Sequence, residues 1–107
     1  MGTKSKTHQI EIQFCTQCGW LPRASWMMQE ILTTFQDEII SVTLTPKSGG
    51  VFEIFLDKEK IYSRSDFGGF LDIKDIKKLI RDNISPKKNL GHSELKAFLL
   101  RQLLLRH

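Results

Sequence analysis

Two cysteines stand three positions apart in Cys15-Thr16-Gln17-Cys18, and they are the only two in 107 residues. That spacing lets the sulfurs approach disulfide distance across one turn. Such a pair does exchange chemistry when one thiol is held as the thiolate, because the thiolate is the species that attacks a disulfide. A helix N-terminus favours that form through its unpaired N–H groups and the positive end of its dipole. The sequence must therefore provide a segment ending at Cys15 and a helix opening just beyond Cys18.

It provides both. In residues 9–14, Ile10, Ile12 and Phe14 alternate with polar side chains, the period of a half-buried strand. Cys15-Thr16-Gln17-Cys18-Gly19 is turn-forming. Beyond Leu21-Pro22, the segment 23–35 repeats Ala24, Met27 or Met28, Ile31, Leu32 and Phe35 at three- and four-residue steps, an amphipathic helix. Pro22 suits its first turn, where a missing N–H costs nothing. Residues 39–45 predict a second strand and 51–56 a third, separated by the turn Pro46-Lys47-Ser48-Gly49-Gly50. A short hairpin at Asp57-Lys58-Glu59-Lys60 leads into a fourth strand at 61–63 or 64. Residues 65–70 predict a loop around Gly68-Gly69. Asp72 caps a helix carrying Ile73, Ile76, Leu79, Ile80 and Ile84, which ends before Ser85-Pro86.

The order is β-α-β-β-β-α, followed by an apolar segment of helical character at 94–107. A β-α-β crossover is right-handed, so the first two strands run parallel and end on one edge. The third strand starts from that edge and the fourth returns to it. Three loops, 15–19, 45–50 and 64–70, then meet where the cysteines lie.

Other readings of the pair fit less well. Zinc needs further Cys or His ligands, and only His8, His92 and His107 exist, scattered along the chain. A thiol nucleophile for hydrolysis needs a base, and none is identifiable in position. Two incidental buried cysteines would not require the strand–turn–helix setting. Thiol redox chemistry is the reading that uses it.

Composition narrows the class. Two cysteines are too few for a disulfide-stapled secreted domain, and the polar segment 1–8 reads as a frayed tail without the apolar stretch of an export signal. A cytoplasmic setting is the expectation. With 40% hydrophobic residues and seven Phe, the chain can bury one core. No apolar stretch approaches membrane-spanning length, so no membrane association is expected. The 16 Lys and Arg against 12 Asp and Glu give a net charge of +4. These basic residues are spread out, and the densest group, Lys74, Lys77, Lys78 and Arg81, is expected to form a solvated helix face. Nucleic-acid binding has no support in this pattern, which lacks the basic–aromatic alternation of a base-stacking strand.

The stretch Phe14-Cys15-Thr16-Gln17-Cys18-Gly19-Trp20-Leu21-Pro22-Arg23 resembles the strand-to-helix signature of the selenoprotein W-like (Rdx) proteins. The resemblance continues through Thr45-Pro46, Gly49-Gly50-Val51-Phe52-Glu53-Ile54, Ser63-Arg64, Gly68-Gly69-Phe70, Arg81-Asp82-x-Ile84 and Leu90-Gly91-His92-Ser93. It covers about 9–93, leaving 1–8 as a tail and 94–107 as an extension. It implies an α/β, thioredoxin-like fold with a mixed four-stranded sheet, and a redox role without a defined substrate. No cofactor or metal is expected. Selenocysteine-bearing relatives carry that residue where this chain has Cys18, so the chain resembles an all-cysteine form. Leu71-Asp72 stands where relatives commonly have Pro-Glu, which keeps a helix cap and removes a rigid proline.

The catalytic pair is assigned jointly. Analogy with thioredoxin favours Cys15 as attacker; the selenocysteine correspondence favours Cys18. Trp20 and Phe70 either wall the mouth or simply pack. Pro46 begins a loop on the same edge, and thioredoxin-like folds place a cis-proline beside the disulfide. The general trans preference of X–Pro bonds weighs against a cis Thr45–Pro46.

The expected partners are a thioredoxin- or glutathione-type reductant and an oxidised protein or small thiol substrate. The rival reading is a redox-sensitive adaptor whose disulfide state gates a protein partner without turnover. The apolar 94–107 segment must cover its leucines, either on the domain or against a second copy, and a homodimer is the preferred solution.

Overall fold

The computed structural model describes residues 7–84, so the extension at 94–107, with the dimer expected through it, lies outside the described residues. Alternation sets the first strand. Ile10, Ile12 and Phe14 of β1 (His8–Cys15) are all buried on one face, while Gln9, Glu11 and Gln13 take the other. Helix α1 (Leu21–Thr34) lays Ala24, Met27 and Ile31 on the apolar face of β1, each fully buried. It ends as the Phe35 N–H donates to the Ile31 carbonyl at 2.9 Å.

The crossover returns in β2 (Ile39–Lys47), parallel to β1. The chain then passes over the end of β1 into β3 (Phe52–Leu56), which pairs antiparallel on its far side. Strand β4 (Glu59–Ser63) follows by a hairpin, giving the sheet order β2-β1-β3-β4. This is the mixed four-stranded α/β sheet that the pattern predicts. A one-turn helix α2 (Arg64–Phe67) and helix α3 (Ile73–Ile84) complete the described chain. Ile76 and Ile80 of α3 join the same core cluster as α1 and the strands. Both long helices therefore cover one face of the sheet. No helix among the described residues is long and apolar enough to cross a membrane.

Three expectations change, while the Thr45–Pro46 peptide takes the expected trans form. Residues 64–67 form a helical turn, not the start of a loop; Gly68, at φ 77°, closes it in the left-handed region, where glycine is unpenalised. Pro46 lies inside β2, not in the following turn. An edge strand tolerates this: Lys47 directs its carbonyl to Thr16, so alternation turns the missing N–H of Pro46 toward the free edge. The Thr45–Pro46 bond is trans, as are all peptide bonds of the described chain. Lys77 is not part of a solvated face. It is 4% exposed, and its ammonium meets Glu30 of α1 at 2.9 Å, because α1 packs along that side of α3. Asp72 does cap α3, accepting the Lys74 N–H at 3.3 Å.

The β3–β4 turn holds both Asp57 and Lys58 at positive φ, 51° and 73°, the geometry of a two-residue hairpin matched to strand twist. Asp57 also ties the start of β1: its Oδ1 accepts the Gln9 N–H at 2.8 Å and its Oδ2 lies 2.7 Å from His8 Nδ1. The His8 bond, then the Gln9 N–H, hold the Asp57 carboxyl below its ordinary pKa. A carboxylate depressed on folding stabilises the fold above its unfolded value near about 4, and that stability is lost as pH falls through the lower folded value. Asp57→Asn is thus expected to unfold at lower urea concentration at neutral pH, with the gap to the parent narrowing below about pH 4. Lys58→Gly relieves a left-handed non-glycine residue and should raise stability by about 0.5 kcal/mol in the same assay.

Candidate redox site

The site is the end of β1. The Cys15 N–H donates to the Val51 carbonyl at 2.8 Å, and the next N–H, of Thr16, donates to the Lys47 carbonyl at 3.1 Å. The Thr16 hydroxyl reaches that carbonyl too, at 3.3 Å. The strand end is thereby clamped from both neighbours. A turn follows, closed by the Gly19 N–H on the Thr16 carbonyl at 3.1 Å. Gly19 sits at φ 75° with open space where a Cβ would be, so conformation rather than crowding requires glycine there. The Trp20 N–H then turns back to the Cys15 carbonyl at 3.4 Å. The outcome is a Cys15–Cys18 Cα separation of 5.4 Å, with the two sulfurs in disulfide contact.

The two cysteines are not equivalent. Cys15 is 1% exposed, whereas Cys18 is on the surface. Cys18 lies three residues before α1, whose first turn contains Pro22 and no acidic residue, and whose N-cap Trp20 gives no side-chain hydrogen bond. The first-turn amides thus keep their positive character toward the turn.

Three aromatic rings stand beside it. Trp20 meets Phe70 edge-on at 5.0 Å and Phe52 at 6.0 Å, and Phe52 meets Phe70 at 5.1 Å. Edge-to-face pairs are worth about 0.5–1.5 kcal/mol each beyond their buried area. Two guanidiniums lie on this cluster. Arg23 Cζ is 3.9 Å from the Phe70 centroid, and Arg64 Cζ is 5.0 Å from Trp20 and 5.2 Å from Phe70. The loop carrying Phe70 is anchored by the Tyr62 hydroxyl, which donates to the Gly69 carbonyl at 2.6 Å. Burial raises the Tyr62 pKa above its ordinary value.

Of the residues singled out by sequence, Cys15, Cys18, Trp20 and Phe70 come together at this edge. Pro46 stands one strand away, exposed and opposite Phe14 rather than Cys15. His8 is at the far end of β1, about 23 Å along the strand from Cys15, so it cannot share a metal with the pair. Among the described residues no cluster of three or more His, Cys, Asp or Glu can hold a metal ion. Sequence reasoning passed over Arg23, Arg64 and Tyr62. Their signal was position alone, since each lies on or next to one of the converging segments.

The sequence profile of the Rdx family matches residues 9–82. The chain belongs to the Rdx family. Among solved structures it is similar to a selenoprotein W-related protein from Vibrio cholerae, at 45% identity and a TM-score of 0.69, over 72% of this chain and 96% of that one. A protein from Bordetella parapertussis is similar at 45% identity and a TM-score of 0.69, over 71% of this chain and 96% of that one. No curated protein matches. Membership of the Rdx family and a disulfide-capable CxxC together support a redox role for this edge.

Tyr62 is the only tyrosine of this Rdx chain, which makes its anchor directly measurable. Ultraviolet titration of the phenol should give a midpoint above 10, in line with its raised pKa. Tyr62→Phe leaves the Gly69 carbonyl without its donor and should cost about 1–3 kcal/mol in urea unfolding.

Proposed function

We propose that the protein is a thiol–disulfide oxidoreductase in which Cys18 attacks and Cys15 resolves. The observation that carries this is the difference in exposure: Cys18 is an exposed residue of the turn, open to approach by a substrate, while Cys15 is buried at the clamped strand end. In the reduced protein the Cys18 thiolate attacks one sulfur of a substrate disulfide. A Cys18–substrate bond forms, the substrate S–S bond breaks, and the other substrate sulfur leaves as a thiolate that takes up a proton. Cys15 then loses its proton and attacks Cys18 Sγ. The second substrate thiolate is released and the Cys15–Cys18 disulfide closes.

Two electrons pass from the dithiol to the substrate. A thioredoxin-type dithiol, or two thiols of the glutathione type, returns them, consistent with a reducing cytoplasm. The α1 N-terminus favours the thiolate at Cys18.

Alkylation of the reduced protein with limiting reagent is expected to modify Cys18 first, with a rate–pH midpoint below the free-thiol value of about 8.5. Cys15→Ser should accumulate a stable mixed disulfide at Cys18, and Cys18→Ser should accumulate none. Preferential labelling of Cys15 would reverse the assignment. Absence of disulfide reduction with a coupled reductase, combined with redox-dependent capture of a protein, would replace turnover with an adaptor role.

A further inference from the structure

The guanidiniums of Arg23 and Arg64 share one aromatic support. Both lie over Phe70, at 3.9 and 5.2 Å from its centroid. That shared ring keeps the two cationic carbons within about 9 Å of each other, close enough for like charges to repel and for one anion to relieve both. Among the described residues neither Arg makes a salt bridge, although Lys77 pairs with Glu30, Lys60 with Glu53 and Arg81 with Asp82 elsewhere on the molecule. Arg64 Nε is buried and has no hydrogen-bond partner.

The neighbouring charges do not cancel this pair. Asp66 lies in the first turn of α2, and it forms no ion pair with Arg64 among the described residues. Asp72 is engaged at the start of α3 by the Lys74 N–H. Both guanidiniums lie over the Phe70 ring, and Arg64 over Trp20 as well; a guanidinium on an aromatic face can still donate N–H groups in its own plane, the geometry that receives a carboxylate in bidentate fashion. Trp20, which Arg64 contacts, is only two residues from the exposed Cys18.

Resting on the exchange reading above, we infer that Arg23 and Arg64 form a carboxylate-recognition site that selects anionic disulfide substrates for Cys18. The carboxylate belongs to the substrate, whether a small acid-bearing disulfide or an acidic side chain flanking a protein disulfide.

The test is a comparison of rates. The reduced full chain would be mixed with three small disulfides of similar size: dianionic 3,3′-dithiodipropionate, neutral bis(2-hydroxyethyl) disulfide and dicationic cystamine. Acid quenching and mass measurement follow the oxidation of the protein. The anionic probe is expected to react about tenfold faster than the neutral one at low salt, with cystamine slowest. Raising ionic strength should shrink that ratio.

The ratio, not the absolute rate, is the readout, because a change in Cys18 thiol reactivity moves all three rates together. Arg23→Gln/Arg64→Gln should bring the anionic-to-neutral ratio to about one, with circular dichroism confirming the fold. The salt dependence of the unmodified protein tests the same point should the double variant fail to fold. Rates alike for all three probes in the unmodified protein would overturn the site and leave exchange standing. A ratio unchanged in the folded variant would do the same. No reaction with any probe would overturn exchange, and the site with it. Pre-incubation with an acidic peptide that lacks cysteine should slow the anionic probe selectively if protein carboxylates are accepted. If the peptide has no effect while the charge ratio holds, recognition is confined to small acid-bearing disulfides.

Discussion

The structure depends on how β1 ends. A central strand is held on both sides, and here the holding persists to its last residues: Cys15 donates to Val51 and Thr16 donates to Lys47. Each bond is worth only about 1 kcal/mol net. Their joint effect is positional, because they fix the backbone at Cys15 while the chain turns immediately afterwards toward α1. The turn then brings Cys18 back to a Cα separation of 5.4 Å from Cys15. The loop joining β2 to β3 exists in this form because it must cross the end of β1 to place β3 on the other side. Sheet order and cysteine geometry are thus a single constraint seen at two scales.

The second layer of support is apolar. Phe52 belongs to β3 and is 1% exposed, so it brings the core to the edge. Trp20 and Phe70 pack on it from the α1 and α2 sides. This gives the turn and the 68–72 loop a common floor, and Tyr62 fixes that loop from below. The energies are modest individually, about 0.5–1 kcal/mol for an exposed cation–π contact. Their value lies in holding Arg23 and Arg64 in place despite their length and charge. An arginine without a carboxylate partner usually explores many rotamers; the aromatic contacts bias both side chains toward this cluster.

Much of this was legible in the residues. Ile10, Ile12 and Phe14 gave the strand, the α1 stripe gave the helix, and chain order alone brought three loops to one edge. The Rdx resemblance named the pair that would act there. What escaped has physical reasons. The one-turn helix at Arg64–Phe67 is too short to show a period. The burial of Lys77 depends on Glu30, which is 47 residues away, and no local pattern reports such a partner. Pro46 reads as a breaker in isolation and becomes acceptable only once β2 is known to be an edge. The pairing of Arg23 with Arg64 needs the tertiary position of Phe70.

The unequal exposure of Cys15 and Cys18 is the most consequential of these. Alternation along β1 assigns Ile10, Ile12 and Phe14 to the core, and it would put Cys15 with Glu11 and Gln13 on the polar face. Cys15 is buried all the same, because backbone from both neighbouring segments meets it and the following turn folds Cys18 against it. Periodicity cannot report this, since it describes the sides of a strand and not its end. The same fact separates the environments of the two cysteines more sharply than spacing does. A sulfur enclosed at a fixed strand end is suited to intramolecular attack on its neighbour, which needs proximity and no access. A sulfur on the turn is suited to meeting a substrate, which needs access first. In the exchange we propose, its two halves fall to the two environments that one strand end and one turn create.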